Sequence, residues 1–186
     1  MITKTAAVNI AAINYHYKSK EGLIEKFCEY YLNEFINEVN KNYSSLLERN
    51  SKVDTDSLIA IVIKSINKIN NTSIYSMKLF VEVIDFIYKK CNSRIGLRFI
   101  NKINSELNEY LCSLKKHTLA TDNRYFFWKL HFLVGSIFFT TSNFKGLSKI
   151  EKDLFGKQTS MNSILEEMVP FISNSLSCKD HINSTL

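Results

Sequence analysis

The stretch most informative about the fold reads Ala6-Ala7-Val8-Asn9-Ile10-Ala11-Ala12-Ile13-Asn14-Tyr15-His16-Tyr17-Lys18-Ser19-Lys20-Glu21-Gly22-Leu23. Asn9 is a favourable N-cap for a short helix over residues 10–16, and Ser19 is a favourable N-cap for the helix that follows. A short helix placed after a tight turn is typical of the helix-turn-helix, whose second helix enters the DNA major groove. Periodicity alone does not establish that geometry.

Downstream of Ser19, apolar residues recur every three or four positions, and no segment alternates with the period of a strand. This spacing predicts a long helix that ends near residues 48–51 and a second helix capped by Asp54 or Thr55. Only five Gly and one Pro occur among the 186 residues, too few turn residues for an all-β fold. The sequence therefore predicts an all-α protein.

Three further helices are predicted in the second half of the chain. One runs without a break from Leu97 to Leu114, and one is capped by Asp122 or Thr121 and contains the most apolar stretch, residues 125–139. That stretch is shorter than the roughly 20 residues that cross a bilayer, so it predicts a buried helix and no membrane partner. The last helix carries an apolar stripe from Met161 to Leu176.

The helix at residues 122–142 is apolar on every side and so needs cover on every side. Pairing with a second copy of the chain supplies this cover, and a homodimer is the commonest oligomer. We therefore expect a homodimer that forms through the helices at residues 122–142 and 160–177. A central helix enclosed within a monomer stays open as the alternative.

Charge and cysteine content restrict the possible partners and the compartment. The chain has 24 Lys and Arg against 18 Asp and Glu, and this net charge of +6 is compatible with a polyanionic partner but too small to prove one. The four cysteines are far apart and none lies at metal-site spacing, so we expect buried thiols and no metal. The N-terminus lacks a secretory signal, which favours the cytoplasm.

Residues 6–23 closely resemble the DNA-binding signature of TetR-family transcriptional regulators. The resemblance lies in the small-residue turn before Val8, the Asn9 cap, the Asn14-Tyr15-His16-Tyr17 end of the recognition helix and the Lys18-Ser19-Lys20-Glu21-Gly22-Leu23 entry into the next helix. It implies an all-α, TetR-like fold, with a partial helix-turn-helix before a helical ligand-binding and dimerisation domain. The implied boundaries are 1–22 for the head, whose first helix is missing, and 23–186 for the second domain.

The resemblance also implies which residues of the head contact DNA. Asn can pair bidentately with adenine, Ala and Ile can contact a thymine methyl group, and Lys beside a helix N-terminus can bind a phosphate. His16 either contacts DNA or closes the recognition helix by local packing. The implied DNA-contacting set is Asn9, Ile10, Ala11, Asn14, Tyr15, His16 and Lys20.

An effector pocket among the middle helices is the other site that the resemblance implies. Its implied lining is Tyr75, Phe80, Phe86, Phe99, Tyr110, Trp128, His131 and Phe132. Aromatic residues fill helical bundles by default, so a core role stays open for each of them. The lining favours a small hydrophobic or aromatic effector.

These observations predict a ligand-responsive transcriptional repressor that binds an operator in double-stranded DNA and needs no cofactor. The sequence has no Gly-rich phosphate loop, no His-Glu-x-x-His motif and no nucleophile elbow, so an enzyme is not expected. Because the first helix of the head is missing, one alternative stays open. It is a dimeric ligand-binding or interaction module, related to such regulators, that has no sequence-specific DNA binding.

Overall fold

The computed structural model describes residues 15–49, 52–72, 77–120 and 122–178, and within these ranges all regular secondary structure is α-helical. The predicted all-α class is therefore confirmed for the described chain. A helical turn at residues 15–17 precedes the first long helix. The helices that follow are α1 (Lys20–Glu48), α2 (Thr55–Thr72), α3 (Met77–Lys89), α4 (Arg94–Glu106), α5 (Asn108–His117), α6 (Asn123–Ser142), α7 (Phe144–Phe155) and α8 (Met161–Leu176).

Local side-chain caps explain where several of these helices begin. The Ser19 hydroxyl accepts a hydrogen bond from the Gly22 amide at 3.0 Å and opens α1. Asp54 accepts from the Ser57 amide at 3.0 Å before α2, and Asp122 accepts from the Tyr125 amide at 2.9 Å before α6. Capping at Ser19, Asp54 and Asp122 is thus confirmed.

The sequence predicts one uninterrupted helix from residue 97 to residue 114. This prediction is wrong, because the helix is interrupted at Leu107. The backbone there has φ −104° and ψ 13°, and the chain leaves α4 and starts α5. The Leu107 amide still donates to the Ile103 carbonyl at 3.0 Å, and its side chain is buried. The apolar stripe therefore continues across the break, so hydrophobic spacing did not reveal it.

Helix α7 is absent from the sequence-based prediction. It has no buried residue, and Gly156 ends it in the left-handed conformation with φ 68°. Its apolar side chains Ile150, Leu154 and Phe155 are exposed. A helix with so little burial receives its stability from few tertiary contacts.

Helix α2 lies at the centre of the bundle. It packs mainly against α8 and α1, and also against α5 and α3. This packing places apolar side chains from almost every helix in one core. The largest fully buried side chains are Tyr31, Leu32, Ile36, Leu58, Ile59, Ile66, Phe80, Ile87, Phe99, Leu114, Ile137 and Leu165.

Helix α6 is buried on one side only. Leu133 and Ile137 face the core, whereas Trp128, Phe132 and Phe139 are 52%, 67% and 63% exposed. We call Trp128, Phe132, Gly135 and Phe139 the outer face of α6. Within the described chain α6 is therefore not enclosed, unlike the fully covered central helix of the monomer alternative.

The cysteines only partly meet the expectation of buried thiols. Cys28 is buried, and desolvation raises its pKa to about 11. The prediction of a buried thiol is wrong for Cys112 and Cys178, which are exposed. Cys91 is half-buried. Cys112 lies two residues from buried Tyr110 and Leu114 on α5, so it points away from the core.

Among the described helices, none combines the length and the hydropathy that a bilayer-spanning segment requires.

Candidate functional site

Three of the predicted DNA-contacting residues lie in the described part of the chain. Tyr15, His16 and Lys20 are all exposed, and the side chain of Tyr15 is 84% exposed. The rings of Tyr15 and His16 are neighbours, with centroids 5.2 Å apart. The other four predicted contacts, Asn9, Ile10, Ala11 and Asn14, lie outside the described residues.

A tight turn joins the helical residues 15–17 to α1. Lys18 adopts the left-handed conformation with φ 63°, and the Ser19 amide donates to the Tyr17 carbonyl at 2.7 Å. A Cβ atom on Gly22 would lie 2.1 Å from the Tyr17 carbonyl oxygen, so the close approach requires glycine at this position. The turn therefore sets the direction in which the preceding segment leaves the body of the protein.

A groove of about 530 Å³ separates this turn from the start of α4. His16, Lys18 and Lys26 line it on the α1 side, and Arg98 lines it on the α4 side. The Arg98 guanidinium pairs with the Glu25 carboxylate at 2.7 Å and so connects α4 to α1. Glu21 and Glu25 also line the groove, and Lys26 pairs with Glu29 at 2.8 Å, so the groove carries charges of both signs.

The predicted effector-binding residues that the structure describes divide between the core and the surface. Phe80, Phe99 and Tyr110 are almost completely buried in the core. The Phe80 ring contacts the Phe138 ring, with centroids 5.9 Å apart, and the Tyr110 hydroxyl donates to the Leu58 carbonyl at 2.9 Å. These three side chains fill the bundle, and a ligand contact by any of them stays a prediction.

Two other predicted lining residues give less information. Phe86 is half-buried on α3 and packs against the core, and Tyr75 lies outside the described residues. Their roles in ligand binding also stay predictions.

The remaining three predicted residues, Trp128, His131 and Phe132, lie together in the first half of α6. The His131 Nδ1 is 2.7 Å from the Phe127 carbonyl oxygen, so it must carry the proton and donate. His131 Nε2 forms a second hydrogen bond, 3.0 Å long, with the Tyr88 hydroxyl. The imidazole is thus oriented by two partners within an open aromatic cluster, and burial raises the pKa of Tyr88.

Tyr88 and Phe127 belong to this cluster although the sequence analysis did not select them. The Phe127 and His131 ring centroids are 4.0 Å apart, and those of Tyr88 and His131 are 5.4 Å apart. Phe127 lies one helical turn before His131, a spacing that could have indicated the contact. No spacing signal exists for Tyr88, which belongs to a different helix.

A second groove, of about 390 Å³, runs between α6 and α8. Its apolar walls include Phe139, Ile164, Met168 and Phe171, and Glu167 is its single charged residue. Phe171 is 64% exposed. Because Phe139 belongs to both surfaces, the groove continues the outer face of α6 towards α8.

The described chain contains no group of three or more His, Cys, Asp or Glu side chains that could hold a metal ion.

Comparison with known proteins identifies the second half of the chain. Residues 76–174, just over half of the sequence, match a family model described as the tetracyclin repressor-like C-terminal domain. The matched segment extends from the start of α3 into the last turns of α8. No curated protein matches the chain.

Proposed function

The chain belongs to the TetR family of transcriptional regulators, and from this premise we propose that it is a ligand-responsive repressor that binds operator DNA as a homodimer. The proposal has three parts: DNA binding by residues 1–22, dimerisation through the outer face of α6, and control by an effector bound in the domain at residues 23–186.

The turn from Tyr17 to Gly22 is the observation that carries the DNA-binding part. A recognition helix reads bases only if its angle to the body is held constant. The Ser19 cap, the left-handed Lys18 and the close approach of Gly22 to the Tyr17 carbonyl support such a rigid connection. Lys20, in the first turn of α1, is exposed and suited to a phosphate contact.

Exposed aromatic surface supports the dimerisation part. Large aromatic side chains carry about 150–250 Å² each, so Trp128, Phe132, Phe139 and Phe171 leave roughly 500 Å² uncovered per chain. A stable interface uses about 800 Å² of each partner, and these four residues provide most of it. The interface is thereby proposed to include the helices at residues 122–142 and 160–177.

The aromatic cluster around His131 supports the effector part. Trp128 and Phe132 offer apolar contact, and the hydrogen-bonded pair of Tyr88 and His131 offers one polar anchor. This lining suits a small hydrophobic or aromatic effector. Since Trp128 and Phe132 also belong to the outer face, an effector bound there acts on the arrangement of the two subunits. It changes DNA binding only if it prefers one of the two dimer arrangements.

In vitro selection from a pool of randomised DNA duplexes tests the proposal. We expect the chain to enrich a two-fold symmetric sequence, because a homodimer presents two identical heads. Asn14→Ala should weaken binding to the selected duplex about 10-fold or more, since a bidentate pair with adenine contributes about 1–3 kcal/mol. Binding is measured by fluorescence anisotropy at fixed salt.

Asn101→Ala is the matched control, because Asn101 is an exposed asparagine on α4. The control should bind the selected duplex as tightly as the parent chain, and sedimentation should show both variants in the same oligomeric state. The same duplex then serves to screen a library of apolar aromatic compounds, some of which should release it. Failure to enrich any sequence contradicts the repressor proposal, and equal affinity of Asn14→Ala removes Asn14 from the DNA interface.

A further inference from the structure

The packing of the described chain does not explain why position 135 is a glycine. It lies in the interior of the 20-residue helix α6, where glycine costs about 1 kcal/mol relative to alanine. A Cβ atom at this position would meet no atom within 4 Å, so no neighbour in the described chain requires the missing side chain. The residue is exposed and lies in the middle of the outer face.

The aromatic residues of the outer face are arranged symmetrically around this position. Phe132 precedes Gly135 by three residues, and Phe139 follows Ser136 by three residues, so the midpoint falls between the two small residues. Both rings are almost equally exposed, at 67% and 63%. A surface with this symmetry is self-complementary when it meets a second copy rotated by 180°.

We propose that the two-fold axis of the homodimer passes beside Gly135 and Ser136, where two copies of α6 cross in antiparallel orientation. Phe132 of each copy then packs against the partner's Phe139. Glycine at the crossing allows the two backbones to approach closely, as small residues do wherever helices pack tightly. This inference rests on the proposed homodimer and specifies its contact.

The polar groups at the crossing tolerate burial. The Ser136 hydroxyl donates to the Phe132 carbonyl of its own helix at 2.9 Å, so a partner that covers it leaves no donor unpaired. None of the four residues of the outer face is charged. A second copy of the chain can therefore exclude water from these four residues without burying an unpaired charge. The core of a stable interface is likewise poor in charged residues.

The groove between α6 and α8 extends the same contact. It lies on the side of Phe139 and Ser136, and Phe171 forms its far wall. Side chains of a partner that crosses at Gly135 can fill this groove of about 390 Å³. The additional apolar area brings the contact closer to the roughly 800 Å² per partner of a stable interface.

A pair of glycine substitutions tests the crossing point. Gly146 in α7 is the matched control, because a Cβ atom there also meets nothing within 4 Å. Gly135→Leu and Gly146→Leu both add a side chain in open space and both increase helix propensity. We expect Gly135→Leu to raise the dimer dissociation constant at least 100-fold in sedimentation equilibrium, whereas Gly146→Leu stays within threefold of the parent chain.

Each outcome separates this inference from the proposed dimer itself. A parent chain that sediments as a monomer at micromolar concentration removes the homodimer and the crossing together. A dimeric parent with Gly135→Leu as tight as Gly146→Leu, or tighter, leaves the homodimer in place and overturns the crossing. Circular dichroism of each variant shows whether the helical fold is intact.

A cross-link covers the case in which Gly135→Leu does not fold. Gly135→Cys, with Cys91, Cys112 and Cys178 replaced by serine, places one accessible thiol of each chain beside the axis. Close helix crossing brings the two Cα atoms near the roughly 4–7 Å that a disulfide spans, so oxidation should link the two chains. Gly146→Cys in the same background should stay unlinked, and the absence of a link at position 135 overturns the crossing.

Discussion

The aromatic residues of the core and those of the outer face of α6 are of the same residue types, but they differ in how much of their surface is exposed. Phe80, Phe99 and Tyr110 are at most 2% exposed, whereas Phe132 and Phe139 are more than 60% exposed. Both groups lie on helices and show helical spacing. Within the described chain, the other helices cover the first group and leave the second group exposed. In the proposed homodimer, the first group stabilises the fold of each chain and the second group is where two subunits meet.

The largest effect is expected from a substitution in the core. Phe80→Ala removes a ring that contacts both Phe35 and Phe138, and it should lower the free energy of unfolding by about 3–5 kcal/mol. Urea denaturation at one fixed protein concentration measures this loss. A loss of unfolding free energy below 1 kcal/mol would mean that the core relaxes around the cavity. Core and outer-face aromatic residues would then not differ in their contribution to the stability of the single chain.

An intermediate effect is expected on the outer face, and in a different measurement. Phe139→Asp should leave the fold of each chain intact, because its ring is mostly exposed in a single chain. In the dimer it would bury a charge, so dimerisation should lose about 2 kcal/mol or more. Sedimentation equilibrium measures the rise in the dissociation constant.

Phe155→Asp serves as the control for this prediction. Phe155 is 73% exposed at the end of α7, outside the proposed interface. Its substitution should leave the dissociation constant unchanged. If Phe155→Asp dissociates the dimer as strongly as Phe139→Asp, the interface includes α7. The dimer contact is then not confined to α6 and α8.

The smallest effect is expected where a core aromatic residue loses only its polar atom. Tyr110→Phe removes the hydrogen bond from the phenol to the Leu58 carbonyl and keeps the packing of the ring, which should cost about 1 kcal/mol of unfolding free energy. Burial raises the pKa of this phenol, so it stays a neutral donor across the physiological pH range. Thermal or urea unfolding measures the loss.

Tyr30→Phe provides the comparison on the surface. The Tyr30 hydroxyl donates to the Glu34 carboxylate at 2.8 Å on the exposed side of α1, so its loss should change stability by less than about 0.5 kcal/mol. Equal losses in the two variants would show that burial does not strengthen the contribution of the Tyr110 hydrogen bond.

Much of the helical framework could be predicted because its signals are local. A cap such as Ser19 or Asp122 binds an amide only three residues away, so the residue type and its place before an apolar stripe suffice. The turn before α1 is local in the same sense, and the resemblance of residues 6–23 to the TetR signature agrees with the family of residues 76–174. The break at Leu107 escaped prediction because the apolar pattern is the same on both sides of it.

The candidate site was harder to predict because its contacts join distant segments. The hydrogen bond between Tyr88 and His131 connects α3 with α6, and no pattern within either helix indicates it. The aromatic residues predicted to line one pocket separated into a core group and a surface group. Residue type and spacing are the same in both groups, so the sequence could not distinguish them.

The sequence by itself determined the helical class, most helix boundaries and the resemblance of the head to TetR regulators, because these depend on interactions among residues at most four positions apart. Only the tertiary structure decided which face of each helix lies inside. That choice depends on how α2 meets α8 and α1 and on how much of α6 the other helices can cover. Periodicity shows that a helix has an apolar face, but burial is decided by long-range packing, which places Phe80 in the core and leaves Phe139 at the surface.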